Sequence, residues 1–174
     1  IVMKRTRSLL LLFFSLMLFQ TAGAAIRVTS VVAPKVGYSF DSYASDPKVL
    51  RTYISGKILQ TAVDNTVWRS SIWDINNVAP RLTGMLSFVT RSQTVTARIR
   101  KDCAQVMNMK EYEEYMSTES HSVKVVVFCR RGRGKTIDEL LVFKFRSDHY
   151  SSVLQITGKI QVADIPTIIR KSFS

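Results

Sequence analysis

Val123-Lys-Val-Val-Val-Phe-Cys129 runs into Arg130-Arg-Gly-Arg-Gly-Lys135 and then into Ile137-Asp-Glu-Leu-Leu-Val-Phe-Lys-Phe145. Two apolar runs separated by a short turn holding two glycines predict a β-hairpin. In the first run Val123, Val125, Val127 and Cys129 share one face, with Val126 and Phe128 on the other, because strand side chains alternate. In the second, Leu141, Phe143 and Phe145 share a face and Lys144 lies opposite. Ser147-Asp148 turns the chain again, and a third run over 153–160 contains Ile156-Thr-Gly-Lys-Ile160. Loops this short cannot carry a parallel crossover, so the three runs predict a β-meander.

Working outward, residues 82–90 predict a fourth strand, with Leu86 and Phe88 on one face and Met85 and Val89 on the other. Apolar side chains on both faces place it inside a sheet. Ser92 or Thr94 then caps a helix whose stripe is Val95, Ile99, Cys103, Val106 and Met107, an apolar face at helical spacing. Residues 109–116 extend this helix or begin another. Glu111, Glu113, Glu114 and Glu119 are read with them as a solvated helical face. Upstream, Asp46-Pro47 is a helix start, Asp as cap and Pro in the first turn. Leu50, Ile54, Ile58 and Ala62 recur every four residues and predict a helix over 47–63. Gly56 within it costs about 1 kcal/mol relative to Ala.

Residues 64–80 hold Trp68, Trp73, Asn76-Asn77 and Pro80, which disfavour a regular element apart from a short helix over 71–76. The tryptophans are read as covering one end of the core, the other reading being a sugar-stacking platform. Residues 26–32 are a candidate edge strand. Asp164 starts a last helix, with Ile165, Ile168 and Ile169 inward and Arg170 and Lys171 at its negative end. The expected fold is α+β: a mainly antiparallel four-stranded sheet with a C-terminal β-meander, helices packed chiefly on one face, forming a single domain over 25–174.

Charge and the first residues bear on location. Lys4, Arg5 and Arg7 precede an apolar run over 9–19, and Ala22-Gly23-Ala24 follows. This is the pattern of a cleaved secretory signal over 1–24. The run is short for a membrane span, which needs roughly 20 apolar residues. Ala25 stands where a lipoprotein would carry Cys. The chain has 174 residues and net charge +12; losing the three cations of the signal leaves +9. An exported basic protein meets acidic envelope components: lipid headgroups, lipopolysaccharide, acidic glycans or another envelope protein. Nucleic acid is not an expected partner, and no transmembrane span is expected after signal cleavage. Cys103 and Cys129 are the only cysteines and are read as two buried thiols, with a bridge as the alternative.

Motifs for chemistry are sparse. Gly134-Lys135-Thr136 resembles the end of a phosphate-binding loop, but Cys129 stands where that loop needs Gly, and a strand follows rather than a helix. His121 and His149 lack partners at metal-ligand spacing, so no metal site is expected. No Gly-x-Ser-x-Gly elbow occurs, and no catalytic residue or cofactor site is indicated. Arg130, Arg131, Arg133 and Lys135 form the densest charge cluster and are the candidate anion contact, since guanidinium groups match phosphate, sulfate or carboxylate. The competing reading is a solvated hairpin tip.

Tyr53-Ile-Ser55, Leu82-Thr-Gly-Met-Leu-Ser-Phe-Val-Thr90, Tyr112-Glu-Glu-Tyr-Met116, Ile137-Asp-Glu-Leu-Leu-Val142 and Val153-Leu-Gln-Ile-Thr-Gly-Lys-Ile160 occur in this order. In this the chain resembles the domain-of-unknown-function family 4252, small exported proteins of Gram-negative bacteria, over roughly 49–169. The resemblance implies an α+β envelope domain and carries over no site residue. The high basicity and the Arg-rich turn depart from it. The expected function is a non-catalytic binding or interaction module of the periplasm or outer envelope, with a basic surface. The alternatives are an enzyme with an unrecognised site acting on envelope glycans, and a structural subunit of an envelope complex that pairs through a sheet edge.

Overall fold

The computed structural model describes residues 37–61 and 74–170, the side chain of Thr61 excepted. The signal reading over 1–24, the edge strand over 26–32, Trp68 and Trp73 lie outside the described residues, as does the first half of the short helix expected over 71–76; its second half, residues 74–76, is not helical.

Six strands form one antiparallel sheet: β1 (Leu50–Ser55), β2 (Leu82–Thr90), β3 (Tyr112–Glu119), β4 (Val123–Arg131), β5 (Thr136–Arg146) and β6 (Ser151–Gln161), in the spatial order β1-β2-β6-β5-β4-β3. The meander of β4, β5 and β6 is as expected, and it begins one strand earlier, at β3. The α+β class and the antiparallel sheet hold, but among the described residues the sheet has six strands rather than four. Both extra strands lie at the sheet's edges, in stretches read as helix. In β1 the four-residue spacing of Leu50, Ile54 and Ile58 fits a helix, but four is also twice the strand period. The run Thr52-Tyr53-Ile54, rich in β-branched and aromatic side chains, suits a pleated surface. Tyr53 and Ile54 pack against opposite faces of the sheet. Among the described residues of the stretch 47–63, only Gly56–Thr61 is helical, as α1.

β3 repeats the lesson with a bulge. Glu113 pairs with Cys129, Glu114 with Phe128 and Met116 with Val127, so Tyr115 is the extra residue. Tyr112 and Met116, four apart, therefore fall on opposite faces of the sheet. A bulge inserts one residue and reverses the alternation beyond it. Glu113, Glu114 and Glu119 thus belong to an exposed edge strand, not to a helical face.

The long helix α2 (Gln93–Met107) forms where expected, with the Ser92 hydroxyl accepting the Val95 N–H. Val95, Ile99, Cys103 and Val106 are buried, whereas Met107 faces solvent. They pack with Phe40, Tyr43, Phe88, Phe128, Leu141, Phe143 and Phe145 on one face of the sheet. The other face packs Met85, Val125, Val127, Leu140, Ile156 and Ile160 against Leu59 of α1 and Ile165, Ile168 and Ile169 of α3 (Ile165–Ile169). Helices therefore cover both faces rather than chiefly one. The physical reason is visible in β5 and β6, which are buried almost continuously, the signature of strands covered on both sides. Each fully buried Val, Leu, Ile or Phe contributes roughly 1.5–3 kcal/mol.

Asp164 stands at the start of α3, but its side chain does not cap that helix, because it is turned back toward β6 and Arg81. It accepts the Gln161 N–H at 2.9 Å and pairs with Arg81 at 2.9 Å, tying the end of β6 to the segment that leads into β2. Gly158 permits that junction: its φ is +140°, and a Cβ there would lie 2.5 Å from the Arg81 carbonyl oxygen.

Candidate functional site

The basic hairpin joins β4 to β5. Gly132 donates its N–H to the Thr136 carbonyl at 2.9 Å, and the Thr136 hydroxyl donates to the Arg133 carbonyl at 2.8 Å. A strand follows the turn, as the departure from a phosphate-binding loop requires. The four cations do not converge. Strand alternation sends Arg130 to the α2 face and Arg131 to the opposite face, while Arg133 and Lys135 are exposed on the turn.

Arg130 is turned inward, with 19% of its side chain exposed against 69% for Arg131. Its Nε lies 3.2 Å from Glu139 Oε2, and Glu139 is fully buried. Tyr112 donates its hydroxyl to the same oxygen at 2.7 Å. The other carboxylate oxygen accepts Gln155 Nε2 at 2.6 Å and the Tyr38 N–H at 3.3 Å. Gln155 also donates to the Tyr38 carbonyl at 2.8 Å, and the Tyr38 N–H reaches the Tyr112 hydroxyl at 2.7 Å. A buried charge persists only when paired and hydrogen-bonded, and Glu139 has donors on both oxygens. Burial, then the bond to Glu139, pushes the Tyr112 phenol well above its ordinary range. Arg130 Nη2 is buried without a hydrogen-bond partner.

The same network ties down the segment 37–43. A Cβ on Gly37, whose φ is +117°, would lie 2.0 Å from the Glu139 carboxylate. The Tyr38 hydroxyl lies 2.9 Å from Asp102 Oδ1 and 2.7 Å from Gln105 Oε1 on α2, and Tyr43 donates to Asp102. Burial, followed by the bond to Asp102, raises both phenols. Arg98 lies over the Tyr43 ring at 4.9 Å. Arg130 is thus part of the scaffold that holds this segment.

On the opposite face, under the hairpin, lies a groove of about 680 Å³. β3 supplies Glu113, Glu114 and Tyr115, the hairpin Arg131 and Lys135, and the end of β6 with the following turn Gln161, Val162 and Ala163. Cys129 and Ile137 form its apolar floor. Arg131 pairs with Glu113 at 2.7 Å. The hydrogen bond from Arg131 holds the Glu113 carboxyl below the usual carboxylate range, and the same bond raises Arg131. Both side chains are exposed, so this pair adds little stability. Glu114 pairs with Phe128, and its side chain therefore belongs to the other face. Among the described residues Lys135 and Arg133 have no ion-pair partner. Of the four predicted contacts, the structure therefore brings Arg131 and Lys135 to one groove, leaves Arg133 exposed on the turn, and takes Arg130 away.

Cys103 and Cys129 are free, buried, and on opposite faces of the sheet, which rules out a bridge between them. Burial pushes the Cys103 thiol up to about 11, and burial likewise raises Cys129. His149 and His121 are exposed, and among the described residues no group of three His, Cys, Asp or Glu side chains is placed to hold a metal ion. No described helix is long and apolar enough to cross a membrane. The Glu139 network is the feature that sequence reasoning missed. Its signal was present: one carboxylate on the face that Leu141, Phe143 and Phe145 fill.

No curated protein and no solved structure matches the chain. A family model, described as Domain of unknown function (DUF4252), matches residues 43–168. That span runs from Tyr43, which bonds Asp102, to Ile168 in α3, and takes in all six strands, the basic hairpin and Glu139. By this match over most of its length, the chain belongs to the DUF4252 family.

Proposed function

We propose that this protein is exported to the periplasm or outer envelope, where it serves as a non-catalytic binding module for an anionic group of the cell envelope. Arg131, Arg133 and Lys135 make the contact. The observation that carries the reading is the placement of Arg131 and Lys135 on one groove, with Arg133 exposed beside it. Exposed cations on the hairpin keep their side chains available, and a guanidinium can exchange a surface carboxylate for a phosphate at small cost. The signal-like pattern over 1–24 and the charge of +9 that remains without it are the support for location and for the sign of the partner.

The test is co-sedimentation of the protein freed of residues 1–24 with vesicles of anionic phospholipid, and with vesicles of zwitterionic lipid alone, across a salt series. Binding to the anionic vesicles is expected at low ionic strength. It should weaken toward physiological salt, where the Debye length is about 8 Å, and fall in the triple variant Arg131→Ala/Arg133→Ala/Lys135→Ala. Absence of binding at low salt, or binding that the triple variant leaves unchanged, overturns the proposal.

A further inference from the structure

The groove is not lined by charge alone. Cys129 and Ile137 make an apolar floor, and Val162, 46% exposed, stands with Ala163 along one wall. Lys135 lies at the rim without an ion-pair partner among the described residues, and Arg131 is held by Glu113 alone. An inorganic anion would use the cations and leave the exposed wall of Val162 and Ala163 in water. A neutral alkyl group would use the wall and leave Lys135 unpaired. A ligand with an acidic head and an attached hydrocarbon segment matches both. The volume of about 680 Å³ falls within the range of small-molecule sites.

We infer that the groove takes an anionic amphiphile, its acidic head at Lys135 and its first methylenes against Ile137, Cys129, Val162 and Ala163. This deepens the proposed anion binding and rests on it. Head and chain contribute differently. The charge contact is exposed and modest. Each methylene removed from water adds about fourfold in affinity when fully buried. In a groove open on one side, about half of that effect is expected.

The experiment is titration of the protein freed of residues 1–24 with butyrate, hexanoate and octanoate, all below micelle-forming concentrations, and with octylammonium, followed by calorimetry. Octanoate should bind on the order of tenfold more tightly than butyrate, and more tightly than octylammonium. Lys135→Ala should remove the preference for octanoate over octylammonium, and Val162→Ser should flatten the dependence on chain length. Both residues are exposed, so both variants should fold. Equal binding of butyrate and octanoate would overturn the amphiphile inference and leave anion binding standing. Equal binding of octanoate and octylammonium, or no binding of any probe, would overturn both.

Discussion

Replacing Glu139 by Gln removes one charge and keeps the side chain's size, so no cavity confuses the result. The cost follows from the two carboxylate oxygens. One faces Tyr112 and Arg130, the other faces Gln155 and the Tyr38 N–H. Whichever way the Gln amide is turned, its NH₂ meets donors. The Tyr112 hydroxyl cannot easily reverse its role, because it already accepts the Tyr38 N–H. The Arg130 charge loses its partner as well. Breaking a buried ion pair from one side costs about 3–5 kcal/mol. Arg130 retains 19% side-chain exposure, so water screens it and the lower end, about 3 kcal/mol, is expected. For a chain of this size each kcal/mol lowers Tm by about 2–4 °C, so the midpoint should fall by roughly 6–12 °C. Urea denaturation followed by circular dichroism measures the free energy directly. Arg130→Met supplies the second arm of a double-mutant cycle. The double variant should recover about 1 kcal/mol or more relative to the sum of the singles, since no orphaned charge remains. A loss below about 1 kcal/mol for Glu139→Gln, or strict additivity in the cycle, would refute the view that Glu139 and Arg130 sustain each other.

Tyr38, Tyr43 and Tyr112 have phenols raised above the ordinary 10.0. Their contribution to stability is therefore complete below about pH 10 and is lost as pH rises through the folded-state values. Absorbance at 295 nm should show these three of the six tyrosines ionising late, together with loss of the dichroism signal. Six tyrosines titrating in one wave near pH 10 in a folded protein would contradict the network. Gly158→Ala places a Cβ 2.5 Å from the Arg81 carbonyl oxygen at a φ of +140° and should cost about 1–3 kcal/mol; a urea midpoint equal to that of the parent would show that the β6 junction yields freely.

The centre of this sheet was legible because its chemistry admits one reading. Val123 to Cys129 is a short apolar run rich in Val and broken only by Lys124, two glycines turn the chain after it, and β5 and β6 carry apolar residues on both faces; length, β-branched composition and the flanking glycines decide for strands. The edges were not legible for a definite reason. Leu50 and Ile54, like Tyr112 and Met116, stand four apart, a spacing common to a helix turn and to two strand repeats, and the bulge at Tyr115 breaks the alternation that would have decided for a strand. Edge strands bury little, so their composition carries less of the signal: β3 is exposed at six of its eight positions.

The site divides along the same line. A cluster of cations is visible in any sequence, but its direction is not. Which of Arg130 and Arg131 faces the groove depends on register, and bulges occur at Tyr115 in β3 and between Ile137 and Glu139 in β5. Glu139 could have been suspected from its place on an apolar face. Its partners could not, because Tyr38 lies 101 residues away along the chain. Two of the stretches on which the sequence resemblance rests, Glu139-Leu-Leu and Thr157-Gly158, fall on the buried carboxylate and on the close approach of β6 to Arg81. They are accounted for by folding, whereas Arg131, Arg133 and Lys135 meet no such structural demand. A hairpin that keeps Arg133 and Lys135 in water, one of them beside an apolar wall, is where binding is to be sought, and the buried network opposite is what keeps that hairpin in place.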